Sequence, residues 1–389
     1  MNVEALRAET PVSERVLHFN NAGAALMPRR VMDAVVAHLE LEALAGGYEA
    51  HEREAARVEG VYDSIARLIN CRRDELALVE HATRAWDQAF YAVPLGPGDR
   101  ILTSVAEYGA NFVAYLQVAG RTGAEVTVVP NDEHGQISVG ALREMMDDRV
   151  RLVSLNHVPT NGGLVNPAEA VGRVAREAGA LFLLDACQSV GQLPVDVESI
   201  GCDMLSATGR KFLRGPRGTG FLYVRSEALD RLRPLTVDHY AAEWVARDRY
   251  ELRPDARRFE TWEKSYALLL GLGAAVDYAL ELGQDAIWER IRALAGLLRG
   301  RLAELPRVAT HDLGEVKCGI VTFAVDGVDP LEVKRRLAGR GINIVAVGAA
   351  SARIDMDGRG LDALCRASVH CYNTEAEVER FCAEVASLR

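Results

Sequence analysis

Short apolar segments alternate with segments whose apolar residues recur every three or four positions, from about residue 60 to about residue 235. A short apolar run predicts a buried strand, and the longer spacing predicts an amphipathic helix. The predicted strands are residues 76–79, 100–105, 125–130, 150–156, 180–185, 204–207 and 220–224. The predicted helices between them include residues 84–93, 110–119, 139–146 and 167–178. This alternation predicts an α/β fold with a mostly parallel seven-stranded sheet and helices on both faces.

The pattern changes near residue 255, where the chain becomes charged and contains proline. The elements predicted beyond it are helices 265–282 and about 284–305, strand 319–325, helix 330–340, strands 342–347 and 367–371, and helix 375–387. We therefore expect a large domain over residues 16–255 and a smaller α/β domain that consists of residues 256–389, including the linking helix, together with residues 1–15. A chain of 389 residues is long enough for two domains.

Composition excludes several classes of partner. The net charge is −10 and the basic residues are scattered, so neither nucleic acid nor an anionic membrane is an expected partner. The longest apolar stretches are about ten residues, too short to cross a bilayer, and the N-terminus has no signal-peptide pattern. The seven cysteines include no Cys-x-x-Cys pair, which favours free thiols in a reducing cytoplasm over disulfides or a metal site.

The candidate chemistry depends on one of only four lysines. Lys211 lies in a loop bounded by Gly209 and Gly215, and Asp185 ends a predicted buried strand 26 residues earlier. A lysine amine can form an imine with an aldehyde cofactor, and a buried carboxylate can keep a cofactor's ring nitrogen protonated. Taken singly, an exposed lysine and an aspartate that caps a strand end are the plainer explanations. Together they predict pyridoxal phosphate as the cofactor.

A phosphate group binds well at a helix N-terminus, where backbone N–H groups have no partner. Residues 81–84 (His-Ala-Thr-Arg) follow a predicted strand and open a predicted helix, so they are candidates for this contact. Thr208 and Arg210 add a hydroxyl and a cation from the lysine loop, and Gln188 is within reach of the cofactor's phenolic oxygen. A threonine before a helix is more often a simple cap, so each of these contacts is weak evidence by itself.

Four segments together resemble one family along nearly the whole chain. They are residues 18–23 (His-Phe-Asn-Asn-Ala-Gly), 185–188 (Asp-Ala-Cys-Gln), 208–211 (Thr-Gly-Arg-Lys) and 365–374 (Cys-Arg-Ala-Ser-Val-His-Cys-Tyr-Asn-Thr). The combination resembles the class V aminotransferase superfamily of fold type I pyridoxal-phosphate enzymes. That superfamily includes cysteine desulfurases, selenocysteine lyases, isopenicillin N epimerases and hercynylcysteine sulfoxide lyases.

The resemblance implies a role for each candidate residue. Lys211 would carry the imine, Asp185 would pair with the ring nitrogen, and Tyr108 would stack on the ring. The implied cofactor contacts are Ala82, Thr83, Arg84, Tyr108, Asp185, Gln188, Thr208, Arg210 and Lys211. The implied substrate contacts are Arg366, which would bind the α-carboxylate, and Asn21, Thr160 and Asn161; whether Thr160 or Asn161 faces inward stays open. Family members form their sites at a dimer interface, so a homodimer is expected.

Three departures from the family pattern narrow the expected activity. Tyr108 stands where desulfurases carry a histidine stacked on the cofactor, and an aromatic ring still stacks there. Residues 347–364 contain no cysteine, although desulfurases carry their nucleophile in that region. Glu263 stands at the threonine with which the other subunit contacts the phosphate, and a carboxylate would repel a phosphate.

These departures disfavour a desulfurase that forms a persulfide. We expect a lyase that eliminates sulfur from a cysteine S-conjugate or related amino acid, in natural-product or low-molecular-weight thiol metabolism. An epimerase, an aminotransferase and a decarboxylating or oxidising enzyme of the same family are the alternatives. A non-catalytic pyridoxal-phosphate binding protein is an alternative of another class, and the presence of both Lys211 and Arg366 argues against it.

Overall fold

The computed structural model describes residues 1–388. It opens with helix α1 (Val3–Ala8) and the two-residue strand β1 (Leu17–His18). Two long helices follow, α2 (Arg29–Ala45) and α3 (Gly47–Ile69). They are separated only by Gly46, whose φ of 96° is a conformation that side chains other than glycine's disfavour. This glycine lets α3 start immediately where α2 ends.

A seven-stranded sheet forms the centre of the larger part of the molecule. Its strands are β2 (Leu76–Val79), β3 (Arg100–Ser104), β4 (Glu125–Val129), β5 (Val150–Asn156), β6 (Leu181–Asp185), β7 (Met204–Thr208) and β8 (Gly220–Val224). The order is β2-β8-β7-β6-β5-β3-β4, and β8 runs in the direction opposite to that of the other six strands. The predicted mostly parallel sheet is confirmed, and each strand end falls within one residue of its prediction.

Helices cover both faces of this sheet. They are α4 (Ala82–Phe90), α5 (Gly109–Thr122), α6 (Val139–Met145), α7 (Ala168–Glu177) and α8 (Val197–Ile200). Successive residues of β6 belong to different apolar cores: Leu183 packs with Trp86 of α4, whereas Phe182 and Leu184 pack with Val171 of α7. This alternation is expected of a strand that is buried on both faces.

The middle of the chain contains a hairpin that the sequence analysis did not predict. Its strands are β9 (Ala242–Ala246) and β10 (Arg249–Leu252), and most of its residues are exposed. Helices α9 (Tyr266–Leu282) and α10 (Gln284–Ala303) follow and confirm two predicted helices. Within residues 1–388 no single helix has the length and apolar character of a membrane span. Helices α9 and α10 have that length and character only when they are taken together, and the pair is bent by 80°.

A second, smaller sheet lies in the C-terminal part. The strands are β11 (Val308–Thr310), β12 (Ile320–Val325), β13 (Ile342–Asn343), β14 (Val345–Gly348) and β15 (Ala363–Ser368), and the helices are α11 (Pro330–Ala338), α12 (Arg353–Gly358) and α13 (Glu375–Ala386). Strands β11, β12, β15 and β14 form an antiparallel sheet, whereas β13 pairs in parallel with β1. The N-terminal strand is thereby attached to the C-terminal part of the chain.

Two predicted strands of this part are wrong in detail. The predicted strand 342–347 is divided between β13 and β14, which pair with different partners. The predicted strand 367–371 lies at residues 363–368, because the chain leaves the sheet after Ser368 in a turn where Asn373 Oδ1 accepts from the His370 N–H at 2.8 Å. One apolar core includes residues of both sheets, such as Leu205 and Phe323. The predicted domain boundary at residue 255 stays a prediction.

Candidate active site

A cleft opens at the carboxyl ends of the parallel strands, the position where α/β sheets bind ligands. Strands β5, β6 and β7 end at Asn156, Asp185 and Thr208, and all three residues line the cleft. The predicted site residues that line it are Ala82, Thr83, Tyr108, Thr160, Asp185, Gln188, Thr208, Arg210 and Lys211. Residues that are far apart in sequence are therefore gathered by the order of the strands.

A tight loop presents Lys211 to the cleft. The Gly215 N–H donates to the Gly209 carbonyl at 2.8 Å, and the Arg214 N–H donates to the Lys211 carbonyl at 2.9 Å. Arg214 has a φ of 62°, which few residues other than glycine adopt. The Lys211 amine lies 3.3 Å from the Cys187 sulfur and forms no ion pair with a carboxylate of residues 1–388. The Lys211 amine is therefore positioned by Cys187 and, because no carboxylate pairs with it, remains available to react with a ligand.

Asp185 is a buried acid that lacks a basic partner. Its Oδ1 accepts from the Cys187 N–H at 3.0 Å, and its Oδ2 accepts from Asn111 Nδ2 at 3.0 Å. Burial raises the pKa of Asp185, while these hydrogen bonds and the charge of Lys211 oppose the rise. In the described part of the chain no side chain forms an ion pair with it. A buried carboxylate of this kind suits a ligand that brings its own cation.

The N-terminus of α4 lies at the other end of the cleft. His81 Nδ1 accepts from the Arg84 N–H at 3.0 Å, so the N–H groups of Ala82 and Thr83 are left for a ligand. The Arg84 guanidinium instead donates to Thr236 Oγ1 at 3.2 Å, and Arg84 does not line the cleft. The prediction of Arg84 as a cofactor contact is therefore not supported, because the helix turns its side chain away.

The lysine loop contributes to the same end of the cleft. Thr208 donates its hydroxyl to the Thr219 carbonyl at 3.2 Å, and Arg210 donates to the carbonyl of Gly23. Burial lowers the pKa of Arg210. A half-buried cation beside unused helix N–H groups forms a site suited to a phosphate.

Gln188 and Asn21 differ in whether all the polar atoms of their side chains have hydrogen-bond partners. Gln188 Nε2 donates to the Ala22 carbonyl at 3.1 Å, but its buried Oε1 has no partner among residues 1–388. Asn21 Nδ2 donates to the Ser368 carbonyl at 2.7 Å, and its Oδ1 accepts from the Tyr372 hydroxyl. The side chain of Asn21 is thus committed to the protein interior. The prediction that Asn21 contacts substrate is not supported by this placement.

Arg366 is buried beside the cleft and forms no ion pair with a carboxylate of residues 1–388. Its Nη1 donates to the carbonyl of Thr160 at 3.2 Å and to Thr160 Oγ1 at 2.7 Å, and its Nε has no partner in residues 1–388. Burial lowers the pKa of the guanidinium to about 10, so it stays charged at neutral pH. Thr160 lines the cleft, whereas Asn161 Nδ2 donates to Ser351 Oγ at 3.1 Å. The inward-facing residue is therefore Thr160.

Residues 348–352, which we call the cover segment, connect two walls of the cleft. Ser351 is bonded to Asn161, the neighbour of Thr160. On the other wall, a Cβ atom on Gly109 would lie 2.1 Å from the Ala350 carbonyl oxygen, so only glycine permits this approach. The cover segment is thereby held against Gly109 and Asn161, the chain neighbours of Tyr108 and Thr160, and it contains no cysteine.

The loop that contains Glu263 lies elsewhere in this chain. Residues 261–266 line a second surface hollow together with Tyr48 and Arg84. Within the loop, Thr261 Oγ1 donates to the Glu263 carbonyl at 3.3 Å. Its neighbour Glu260 is buried and accepts from the Tyr62 hydroxyl and from Lys264. The expected contact of this loop with a phosphate across a dimer stays a prediction.

Five residues at or behind the cleft were not identified by the sequence analysis as site residues. They are Trp86, Asn111, Asn156 and Cys187, which line the cleft, and Glu107, which lies behind it. Glu107 and Asn111 are four residues apart around the start of α5, a spacing that brings side chains together on a helix. That spacing was the available signal, and it does not by itself separate a cap from a site.

The donor set fits pyridoxal phosphate. Asp185 offers an acceptor to a ring N–H, Gln188 has an unsatisfied amide, and the start of α4 with Arg210 offers a phosphate site. Lys211 lies in the same cleft. Among residues 1–388 no cluster of acidic, histidine and cysteine side chains could hold a metal ion.

Comparison with known proteins agrees with this fit. The profile of the aminotransferase class-V family matches residues 17–381. A probable cysteine desulfurase of Methanothermobacter thermautotrophicus is 28% identical over 97% of this chain and 96% of its own length. One of Xylella fastidiosa is 32% identical over 99% and 95%. The apo structure of the cysteine desulfurase from Thermococcus onnurineus NA1 superposes with a TM-score of 0.91 at 26% identity, covering 98% of this chain and 96% of that one.

The fold and the cleft are those of a fold type I pyridoxal-phosphate enzyme. The chain belongs to the aminotransferase class-V family. The resemblance, the fold class and the cofactor expected from the sequence are thereby confirmed. The roles of the individual site residues stay predictions.

Proposed function

We propose that the protein is a C–S lyase that cleaves the Cβ–S bond of a sulfur-bearing amino acid. The observation that carries this proposal is Arg366, a buried guanidinium without a carboxylate partner, beside the cleft that holds Lys211. The proteins similar to this chain are named probable cysteine desulfurases, enzymes that act on a C–S bond. An α-carboxylate paired with Arg366 would supply the missing charge, since planar guanidinium and carboxylate groups match in geometry.

Each residue of the cleft then has a defined task. Arg366 binds the substrate carboxylate, and Thr160 Oγ1, 2.7 Å from Nη1, keeps the guanidinium directed at the cleft. Tyr108 lines the cleft just before α5, and the cover segment lies against the neighbouring Gly109. Binding through the carboxylate leaves the substrate's α-carbon near the Lys211 amine.

Bound pyridoxal phosphate supplies an aldehyde that condenses with amines and a ring that stabilises negative charge at the α-carbon. Asp185 holds the proton of the ring nitrogen, and the amide of Gln188 is positioned for the phenolic oxygen. Lys211 Nζ takes the proton from the substrate's α-carbon as a general base. These assignments use only groups that line the cleft.

Elimination is a better match to this chain than sulfur transfer. A desulfurase needs a thiolate that attacks the substrate's sulfur. Residues 347–364 contain no cysteine. Cys187 does line the cleft, but its sulfur accepts a hydrogen bond from Lys211, and burial raises the pKa of the Cys187 thiol. In elimination the Cβ–S bond breaks, the thiol leaves with a proton, and water converts the remainder into pyruvate and ammonium. A cysteine S-conjugate is therefore the substrate class that we propose.

The test is to incubate the holoenzyme with S-alkyl and S-aryl L-cysteines, L-cystine and L-cysteine. We expect pyruvate, ammonium and the free thiol in equal amounts from at least one conjugate. Alanine and sulfide from L-cysteine would instead show a desulfurase. Inverted stereochemistry alone would show an epimerase, and keto acids formed with amino-group transfer would show an aminotransferase.

Cys187→Ala is a control for the role of the cleft thiol. If elimination is the reaction, this variant keeps its yield of pyruvate, because no protein thiol accepts the sulfur. If L-cysteine gives alanine and sulfide in the parent enzyme and Cys187→Ala does not, then Cys187 is the sulfur acceptor. That result would contradict the proposed elimination.

We also infer that the enzyme is a cytoplasmic homodimer. Large apolar side chains are exposed on and near α2, including Leu39, Leu44, Tyr48 and Trp262. An exposed apolar surface of this kind is typical of a protein interface. The mass measured by light scattering is expected to be about twice the chain mass of 42.4 kDa. A mass equal to that of one chain would contradict the dimer.

A further inference from the structure

Two buried acids lie one behind the other at the cleft, and one amide joins them. Asn111 Nδ2 donates to Asp185 Oδ2 at 3.0 Å and to Glu107 Oε1 at 3.0 Å. All three side chains are buried. An amide nitrogen carries two hydrogens, so both bonds form together only if each carboxyl group presents an acceptor oxygen. Asn111 therefore fixes the orientation of both acids at once.

Glu107 is itself held by donors from several elements. Its Oε1 accepts from the Tyr108 N–H at 2.7 Å and from Asn156 Nδ2 at 2.6 Å. Its Oε2 accepts from the Thr103 hydroxyl at 2.7 Å and from the Tyr115 hydroxyl at 3.0 Å. These donors come from β3, β5, α5 and the loop before α5. A carboxylate with this many bonds is a rigid support for the groups that contact it.

We propose that Asn111 and Glu107 are positioning residues, which hold the Asp185 carboxylate as the acceptor for the protonated ring nitrogen of the cofactor. Asn111 sets the orientation of Asp185, and Glu107 anchors Asn111. The inference rests on the cofactor and the site but not on which substrate is cleaved. Neither residue is assigned contact with the substrate.

The charge of Glu107 adds to this effect. Burial raises the pKa of Glu107 to about 7; the Thr103 hydroxyl opposes the rise and the charge of Asp185 adds to it. The titratable groups that face Glu107 are Asp185 and Tyr115, and Lys211 faces Asp185. Above pH 7, a charged Glu107 increases the proton affinity of the pair formed by Asp185 and the ring nitrogen. Glutamine at position 107 removes that contribution.

The test uses holoenzyme loaded with pyridoxal phosphate that carries ¹⁵N in the ring. The ¹⁵N chemical shift, followed against pH, reports the protonation of the ring nitrogen without any turnover. We expect Asn111→Ala and Glu107→Gln to lower the pH at which that nitrogen loses its proton. Asn111→Ala is also expected to weaken cofactor affinity roughly tenfold to a hundredfold, the effect of one hydrogen bond to a charged group. Equilibrium dialysis measures this second quantity.

Asn166→Ala is the matched control. Asn166 is also a buried asparagine with two hydrogen bonds, to the Asn156 carbonyl at 2.8 Å and from the Ile137 N–H at 3.1 Å, but it contacts neither acid. It is expected to lower Tm while the ¹⁵N titration stays unchanged. If Asn111→Ala and Glu107→Gln also leave the titration unchanged, the proposal is overturned and the two residues are structural only. Glu107→Gln preserves side-chain volume, so it supplies the result if Asn111→Ala does not fold.

A failed titration test leaves the proposed C–S lyase activity intact, because no substrate is present. Conversely, an enzyme that releases no pyruvate from any conjugate can still show the expected shift of the ring nitrogen. The two proposals are therefore tested separately.

Discussion

Two arginines of the C-terminal part, Arg299 and Arg366, differ in what surrounds them. Arg299 forms an ion pair with Asp312 Oδ2 at 2.6 Å and donates to the carbonyls of Cys318 and Ile320. Arg366 is more enclosed, with 6% of its surface exposed, yet within residues 1–388 its only acceptors are the two oxygens of Thr160. Burying a charge without a partner is costly. The molecule balances the charge of Arg299 itself and leaves that of Arg366 for a ligand.

The acids and the lysines show the same contrast. Glu260 is buried and accepts from the Tyr62 hydroxyl at 2.8 Å, from the Leu78 N–H at 2.9 Å and from Lys264. Asp185 and Lys211, at the cleft, have no ion-pair partner in residues 1–388. Asp185, Lys211 and Arg366 thus lack an ion-pair partner in residues 1–388, whereas Glu260 and Asp312 are paired with Lys264 and Arg299. Arg214 is an exception: it is buried away from the cleft lining and packs its guanidinium over the ring of Tyr372 instead of pairing with a carboxylate. For the paired examples, the difference distinguishes candidate functional charges from structural ones without reference to any relative.

Substitution of Lys211, compared with substitution of Lys264, should have the largest effect on turnover. Lys211→Ala is expected to lower turnover by about 10³- to 10⁴-fold, because the base for the α-carbon proton is lost. It should also abolish the retention of cofactor after borohydride reduction and denaturing dialysis. Turnover of the S-conjugates and the colour of the dialysed protein are the measurements.

Lys264→Met is the comparison for Lys211→Ala. It leaves Glu260 buried without its cation, so we expect a loss of about 3–5 kcal/mol in the free energy of unfolding. The fraction that stays folded should keep its bound cofactor. If Lys211→Ala unfolds the protein and Lys264→Met does not, the proposed separation of functional and structural charges is wrong.

The two arginines form the second test. Arg299→Met is expected to cost about 3–5 kcal/mol of stability, because Asp312 is left buried and unpaired. Arg366→Met is expected to lower kcat/KM by roughly a hundredfold, through loss of the carboxylate contact, with little loss of stability. Urea unfolding and steady-state kinetics of both variants check this. A destabilisation of Arg366→Met equal to that of Arg299→Met would contradict the contrast.

Gly109 tests how the cover segment is held. In Gly109→Ala the new Cβ would meet the Ala350 carbonyl oxygen at 2.1 Å, so the cover segment must move away from α5. We expect a loss of about 1–3 kcal/mol in stability, typical of overpacking, and a raised KM. Gly120→Ala is the control, because a Cβ there meets nothing within 4 Å. Equal effects of the two substitutions would show that the contact with Ala350 is unimportant.

Tyr108 should give the smallest effect. If its ring packs on the cofactor, Tyr108→Phe keeps the affinity for pyridoxal phosphate and Tyr108→Ala weakens it by about 0.5–1.5 kcal/mol. Equilibrium dialysis distinguishes the two variants. An equal loss in both would assign the effect to the hydroxyl rather than to the ring.

The large sheet could be predicted because its signal is local. Most strands between Leu76 and Val224 are short apolar runs separated by helical segments, and strands that are buried on both faces have no other pattern. The residues at the ends of those strands, such as Asp185 and Thr208, could be predicted for the same reason. The cleft follows from the order of strands and not from any side-chain contact.

The errors arose where tertiary contacts determine the outcome. Strand β15 ends at Ser368 because the chain then turns, and the His370 N–H donates to Asn373 Oδ1. A run of apolar residues does not reveal such a turn. Asn21 was expected at the substrate, which stays a prediction; here its side chain donates to the Ser368 carbonyl, a contact that the sequence does not reveal. Glu107 was overlooked because a buried acid and a surface acid look the same in a sequence.

The pairing of Leu17 with Ile342 has a consequence for the synthesis of the protein on the ribosome. The loop after β1 supplies the carbonyls of Ala22 and Gly23 to Gln188 and Arg210, so it completes one side of the cleft. Its anchor, Ile342, lies far downstream and is translated tens of seconds after Leu17, at roughly 5–20 residues per second. Until that strand is made, a nascent chain lacks a finished vitamin-binding pocket.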